Sequence, residues 1–420
     1  MAGRRALGRR FGRLWAAYAV SAYGTSLGFG AFPLIAVLVL DSGPAQVAVL
    51  AAAGRAVGAL VAVPLGPWVE FRRKRPVMVA MDLIRFAALL SIPAAFALGL
   101  LSFAQLLVVS VVVAAADIAF KAAAGAYLKT LVPPADLLVA NSRFESTTWT
   151  AITVGPPLGG AAITLFGPVT TVLADAVSYL LSALGIRSIG GSEPRTAAPR
   201  LRARDLPEGW RHILAHPVLR PLFLNTIVVS GLIMASEPLM AVLLLRDLGY
   251  APWQYGLVFA SPCVGGLLGA RLAPPLVARF GRHRVLRTAG TLRACWPLGL
   301  AFVRPGVPGI VLVVTIQLGL VTCCGLFNPV LATHRLEHTD PDRIARTLTA
   351  WSVSASAAIA ALTAAWGLLA AVIGPRGAIA AAGVLLLATP LLLPRREHAP
   401  STKPAEPAAN LPEMPGGNYR

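Results

Sequence analysis

Residues 66–76 read GPWVEFRRKRP, and residues 273–285 read APPLVARFGRHRV. In each, a cluster of basic residues interrupts a long apolar stretch. Working outward, the apolar text continues on both sides in segments of about 20 residues, the length a helix needs to cross a hydrocarbon core about 30 Å thick. Over its 420 residues the chain is 56% hydrophobic and 13% charged, with a mean hydropathy of +0.70. Soluble globular chains carry about 25% charged residues. The composition therefore excludes an ordinary soluble domain and implies a bundle of membrane helices.

The net charge of +19 would suit a nucleic-acid binder if the basic residues shared one face. They do not. Most fall in the two tails or in alternate inter-helix loops, and only Arg246, Arg304 and Arg376 fall in the opposite set of loops. That is the positive-inside bias of a membrane protein, and it excludes nucleic acid as a partner. Arg72, Arg73, Lys74 and Arg75 thus hold a short loop on the cytoplasmic side. The apolar text divides into twelve spans: 14–40, 45–69, 76–98, 102–129, 141–164, 168–189, 219–245, 251–278, 284–303, 307–332, 345–372 and 376–394. Both termini are then cytoplasmic, in a multi-pass protein of the plasma (inner) membrane. The abundance of arginine over lysine points to a bacterial source. The N-terminal MAGRRALGRRFGRL lacks a cleavable small-residue site, so the first span is read as a retained helix. Cys263, Cys295, Cys323 and Cys324 lie in apolar segments with no zinc or disulfide spacing. No metal site and no cofactor is expected.

The second basic stretch repeats the first. Glu70 and Ala278 are 208 residues apart, and the same offset carries Val77 onto Val285 and Arg85 onto Arg293; an offset of 207 carries Pro134 onto Pro341. The fold class is therefore all-α: twelve transmembrane helices in two pseudo-symmetric six-helix halves. The organisation reads as a basic segment 1–13, an N-terminal half 14–189, a linker 190–218, a C-terminal half 219–394 and a disordered Pro-rich tail 395–420. From Leu206 the linker can form a short helix on the inner membrane face. Repeats of this kind build transporters whose site lies at the repeat interface near mid-membrane.

With these features the sequence resembles the major facilitator superfamily, and within it the bacterial drug, macrolide-efflux and enterobactin exporters. The superfamily's loop motif runs Gly, three residues, Asp, then a basic cluster containing Gly. Here Gly66, Arg72 and Arg75 fit, Glu70 replaces the Asp, and Arg73 stands at the Gly; the second copy keeps Gly281 and Arg282 but has Ala278 at the acid. The phrases DLIR at 82–85, DAVSYLLSAL at 175–184 and PDRIAR at 341–346 also match that branch. GPPLGG at 155–160 resembles the antiporter motif of superfamily exporters through Gly155, Pro156, Gly159 and Gly160, with Ala151 where a further glycine is usual. The resemblance implies a single-copy exporter of a drug, antibiotic or siderophore, driven by protons through alternating access, with the basic loop gating it.

Ionisable residues deep in a membrane are costly and mark function. Arg55, Asp117, Lys121, Asp175 and Glu237 are such residues. Asp117 and Lys121 are four apart and share a helix face. Glu237 precedes Pro238, and its nearest basic neighbour in sequence is Arg246 at the outer end. Glu237, Asp117 and Asp175 are therefore the candidates for carrying a proton. Asp82, Arg85 and Arg293 lie nearer the inner ends and read as structural ion pairs. In the superfamily, helices 1, 4, 7 and 10 line the cavity, which implies a lining of Tyr23, Ser26, Asp117, Lys121, Asn225, Gln317 and Asn328. No HExxH, GxSxG or GxxxxGK[ST] motif occurs, so no enzyme is expected. The alternatives are a metabolite importer on the same fold and a membrane sensor or scaffold that transports nothing.

Overall fold

The computed structural model describes residues 7–28, 31–41, 46, 50, 56–57, 60–190, 207–250, 254, 258 and 262–394. Arg55, most of the linker and the 395–420 tail lie outside them. The described residues form helices, as lipid demands: a backbone with no water beside it must satisfy its own N–H and C=O groups. In the N-terminal half these are α1 (Gly8–Leu27), α2 (Ala31–Leu38), α3 (Leu65–Glu70), α4 (Lys74–Ala97), α5 (Phe103–Leu131), α6 (Leu137–Phe166) and α7 (Pro168–Arg187). A linker helix, α8 (Glu208–Ala215), follows. The C-terminal half has α9 (Leu219–Val242), α10 (Pro262–Phe280), α11 (Arg282–Cys295), α12 (Val307–Glu337) and α13 (Ile344–Ala388).

Among the described residues, six helices are each long and apolar enough to cross a membrane: α4, α5, α7, α9 with its π-helical extension, α12 and α13. A seventh is α6, bent by 42° between Gly155 and Pro157, where proline removes a backbone donor. α13 supplies spans 11 and 12 together. Gly374, at φ 76, breaks it ahead of Pro375, a left-handed conformation that glycine adopts without strain. Span 9 is α11 continued by the 3-10 turns of Trp296–Phe302. The described helices match the all-α, two-half fold expected from the sequence; most of 45–59 in span 2 and of 251–261 in span 8 lies outside the described residues.

One boundary moves. Residues 8–13, assigned above to a basic tail, are already helical, because Phe11 is buried against Phe144 with ring centroids 5.8 Å apart. Burying such a side chain stabilises by about 1.5–3 kcal/mol, enough to start the helix early.

Within the N-terminal half, α4 packs on α5 and α7, and α1 packs on α6 and α7; within the C-terminal half, α10 packs on α12 and α9 on α13. Across the halves, α6 meets α10 and α12, while α13 meets α3 and α5. The apolar clusters show where the halves close. At the end carrying the basic loops, Phe11, Leu128, Val132 and Leu137 cluster with Leu336 and Ile344 of the other half. Toward the opposite end the clusters stay apart: one holds Ile35, Leu89, Leu106 and Tyr179, the other Leu243, Tyr250, Val313 and Ile379. The bundle is sealed at its basic end.

Candidate functional site

Between the halves lies a cavity of about 680 Å³, lined from the N-terminal half by Ser26, Trp149, Ile152, Thr153 and Pro157. The C-terminal half contributes Ile233, Met234, Glu237, Met240, Leu300, Gln317 and Leu320 among others. The walls are mostly apolar, with Glu237 the acid. Next to it, sharing Ser26 and Ile152, is a smaller space of about 160 Å³ inside the N-terminal half, lined by Tyr18, Thr25, Arg85, Asp117, Lys121 and Tyr179.

The smaller space is charged. Lys121 Nζ lies 2.7 Å from Asp117 Oδ2, the helical pairing that the spacing implies. Arg85 Nη1 lies 3.3 Å from Asp117 Oδ1, and its other terminal nitrogen pairs with Asp82. The Arg85 guanidinium also stands over the rings of Tyr179 and Phe120, at 4.2 and 4.6 Å. Arg85 is thus more than a structural ion pair, since it joins the buried Asp82 to the cavity-facing Asp117. Asp175 is placed differently. It is buried at the α1–α7 contact, where Thr25 Oγ1 and Ser178 Oγ each lie 3.4 Å from its Oδ1, and it lines neither space.

Three residues expected in the cavity lining are not there. Asn225 is fully buried at the foot of α9, donating to the Thr389 carbonyl at 2.8 Å and accepting from Arg293 at 2.6 Å. Twelve residues of α-helix leave it about 120° around α9 from Glu237, on a different face. Asn328 donates to Glu145 Oε1 at 2.8 Å, and Tyr23 lines neither of the two spaces. Arg293, expected in an ion pair, binds an amide instead and stacks 3.5 Å over Phe327. Glu145 escaped the sequence reading. It also accepts from Trp149 Nε1 at 3.0 Å and so couples a cavity-wall tryptophan to α12. Its signal was an acid four residues before that tryptophan.

At the basic end the loop motif becomes a latch. Glu70, 3% exposed, forms an ion pair with Arg346 of α13, its Oε2 lying 3.1 Å from Nε, and accepts a hydrogen bond from the Arg346 backbone N–H at 3.3 Å. Arg346 also pairs with Glu208 of α8. Lys74 turns back onto the carbonyls of Val69 and Glu70, closing the loop beneath the carboxylate. Gly66 lets α3 approach α13: a Cβ there would meet Thr349 at 2.9 Å. Lys129 reaches the Thr339 carbonyl at 2.5 Å, and Asn141 reaches Thr333 at 3.0 Å, both across the halves. Arg75 instead binds the Ile189 carbonyl, and Arg72 lies near Trp68. In the second copy Gly281, at φ 84, starts α11, and Arg282 pairs with Glu337 of α12.

The GPPLGG stretch of α6 is a packing face. A Cβ at Gly155 would meet Ser26 at 2.2 Å, and one at Gly159 would meet the Leu27 carbonyl at 2.2 Å, whereas Gly160 faces open space. Small residues here bring α6 and α1 into close contact.

A membrane bundle of two repeated halves, with a cavity between them and a charge latch at one end, defines a transporter. The chain belongs to the Major Facilitator Superfamily, whose sequence profile matches residues 14–320 and 222–418. It is similar to the multidrug efflux pump Tap of Mycobacterium tuberculosis, 27% identical over 331 residues covering 76% of this chain and 78% of that protein. The Tap pump of Mycolicibacterium fortuitum is also 27% identical, over 333 residues (75% and 79%). Among solved structures, a bacterial homologue of the iron transporter ferroportin superposes with a TM-score of 0.78 at 17% identity, covering 92% of this chain and 98% of that one. The human organic anion transporter MFSD10 gives 0.74 at 16% identity (92% and 99%). At these identities the structures establish the shared fold.

Proposed function

We propose that this protein is a proton-coupled exporter of small amphipathic compounds in the bacterial inner membrane, working by alternating access. The observation that carries the reading is the central cavity. Its volume of about 680 Å³ falls in the range of drug-sized sites. Its walls are apolar, both halves supply them, and it holds one acid, Glu237, beside a charged annex. Such a space favours a greasy ligand with a polar or cationic end over a sugar-like metabolite, which would need many hydrogen-bonding groups. The relatives named as multidrug efflux pumps support the outward direction.

In this reading the basic end is cytoplasmic, because the arginine-rich loops lie there. The halves 14–189 and 219–394 rock about the cavity, and one copy suffices, since each chain carries both walls. Glu237 loads and releases the proton, with Asp175 the next candidate. Asp117 and Lys121 meet the polar end of the substrate. The test is purified protein in liposomes with an imposed pH gradient and a fluorescent amphipathic cation. Glu237→Gln should abolish gradient-driven uptake into inverted vesicles while leaving substrate binding and exchange intact. Gradient-driven accumulation equal to the parent would move the proton carrier elsewhere.

A further inference from the structure

α12 ends on His334-Arg335-Leu336-Glu337-His338. Positions i, i+3 and i+4 share a helix face, and one donor atom each from His334, Glu337 and His338 lies within 4.8 Å of the other two. A tetrahedral centre with bonds of about 2.0–2.2 Å needs donors about 3.3–3.6 Å apart, a contraction that small side-chain rotations supply. α8 brings a further imidazole toward the group. The rings of His212 and His216 lie 5.9 Å apart, those of His216 and His338 5.6 Å, and those of His334 and His338 stack at 5.4 Å.

The ring nitrogens indicate which atoms can act. His338 Nδ1 lies 3.0 Å from the His334 carbonyl. As the donor there it carries the proton and leaves the Nε2 lone pair available, the way metal-binding imidazoles are oriented. His338 Nε2, both ring nitrogens of His334 and His212 Nε2 are buried with no hydrogen-bond partner among the described residues. Buried polar atoms rarely go unpaired, and three of them belong to the two histidines of this group. His216 forms a wall: its Nδ1 accepts from the N–H groups of Val218 and Leu219 at 3.2 and 3.3 Å. Glu337 gives one carboxylate oxygen to Arg282 and keeps the other.

We propose that His334, Glu337 and His338, with His212 at the fourth position, form a binding site for a divalent transition-metal ion. Imidazole and carboxylate donors in this number suit Zn²⁺, and with it Co²⁺ and Ni²⁺, whereas Mg²⁺ and Ca²⁺ require oxygen ligands. None of the four residues lines either cavity, so the site stands apart from the substrate path. Its position gives it a consequence. Leu336, between the ligands, belongs to the apolar seal between the halves, and Thr339, next to His338, accepts the hydrogen bond from Lys129. A bound ion stiffens the helix end that carries both contacts.

The test uses the full-length chain, without an affinity tag, in detergent. Titration with Co²⁺ should develop the visible absorption of a four-coordinate site, saturating at one equivalent and collapsing when Zn²⁺ is added. Zn²⁺ should also raise the melting temperature, since an ion that binds only the folded form stabilises it. Both responses should be lost in H334A/H338A. H338Q, close in size to the parent, should lose them too and guards against a misfolded double variant. H212A should weaken Co²⁺ binding at least tenfold. A parent protein with no saturable Co²⁺ band overturns the assignment, as does an unchanged band in H338Q. Because transport plays no part in either readout, failure here is independent of the exporter reading.

Discussion

Glu70 makes the closed basic end sensitive to pH, and the size of the effect follows from its surroundings. Burial pushes its carboxyl up to about 7, against the pull of Arg346. When the halves part, water returns and the pair breaks, so the carboxyl reverts to its ordinary 4.5. A group with a higher pKa in the closed arrangement takes up a proton on closing. Its contribution to closure is therefore complete below about pH 4.5 and is lost as the pH rises through about 7. Between about pH 6 and pH 8 the closed-to-open ratio should fall about tenfold, or ~1.4 kcal/mol. Glu70→Gln stays neutral, and its amide oxygen still accepts from the Arg346 N–H. Its ratio should be flat over this range and close to the parent's value on the acid side. Spin labels at Arg73 and Arg284, exposed residues on the two halves, would report the populations by pulsed electron resonance once the four native cysteines are replaced. The glutamine variant separates the share of Glu70 from that of any other titrating group at this end. A parent distribution that does not move with pH, or a glutamine variant with the parent's slope, would refute the reasoning. Locking the end shut should also slow transport.

Other expectations follow from single contacts. Asp117→Asn removes the partner of Lys121 and one partner of Arg85, so substrate binding measured by equilibrium titration should weaken, about tenfold for a cationic ligand (~1.4 kcal/mol); unchanged affinity would make the pair structural. Gly159→Ala drives a methyl group into the Leu27 carbonyl and should cost about 1–3 kcal/mol, read as a lower melting temperature. Gly160→Ala, facing open space, should melt like the parent, and equal losses at both positions would show that α1–α6 packing is not what the motif provides. Cysteines at 41, 166 and 305 should react with an impermeant reagent from outside, and those at 73, 200 and 283 only from inside; reversed labelling would invert the topology.

The sequence made the fold legible because two signals agree: apolar segments at membrane-spanning length, and arginines concentrated in alternate loops. The latch was half legible. Gly66 and Glu70 were recognised in the loop, but the partner, Arg346, lies 276 residues away and only the assembled bundle identifies it. Asp117 and Lys121 were found because helical spacing alone puts them together. Asn225 was misplaced because knowing that a helix lines a cavity does not say which of its faces does so, and a shift of one residue turns a side chain by about 100°. The histidine cluster was overlooked because the metal reading attended to cysteine spacing and HExxH. The H-x-x-E-H order at 334–338 was present, but His212 joins it only through the packing of α8.

The repeat itself explains where the charge resides. Arg85 and Arg293 are equivalent at an offset of 208, and Phe120 and Phe327 at 207. In each half the arginine stacks on the phenylalanine. The halves then diverge. At the same offset of 207, Asp117 corresponds to Cys324 and Lys121 to Asn328. The N-terminal arginine is balanced by Asp82 and Asp117, whereas Arg293 takes the amide of Asn225. A buried guanidinium costs free energy unless paired, so each half keeps its arginine by a different route. The N-terminal route leaves Asp117 and Lys121 facing the annex, and the C-terminal route frees its cavity wall to be apolar. Glu237 then stands as the acid of a greasy wall opposite a charged pocket, an asymmetry that duplication alone would not produce and that an amphipathic ligand, with one polar and one apolar end, would match.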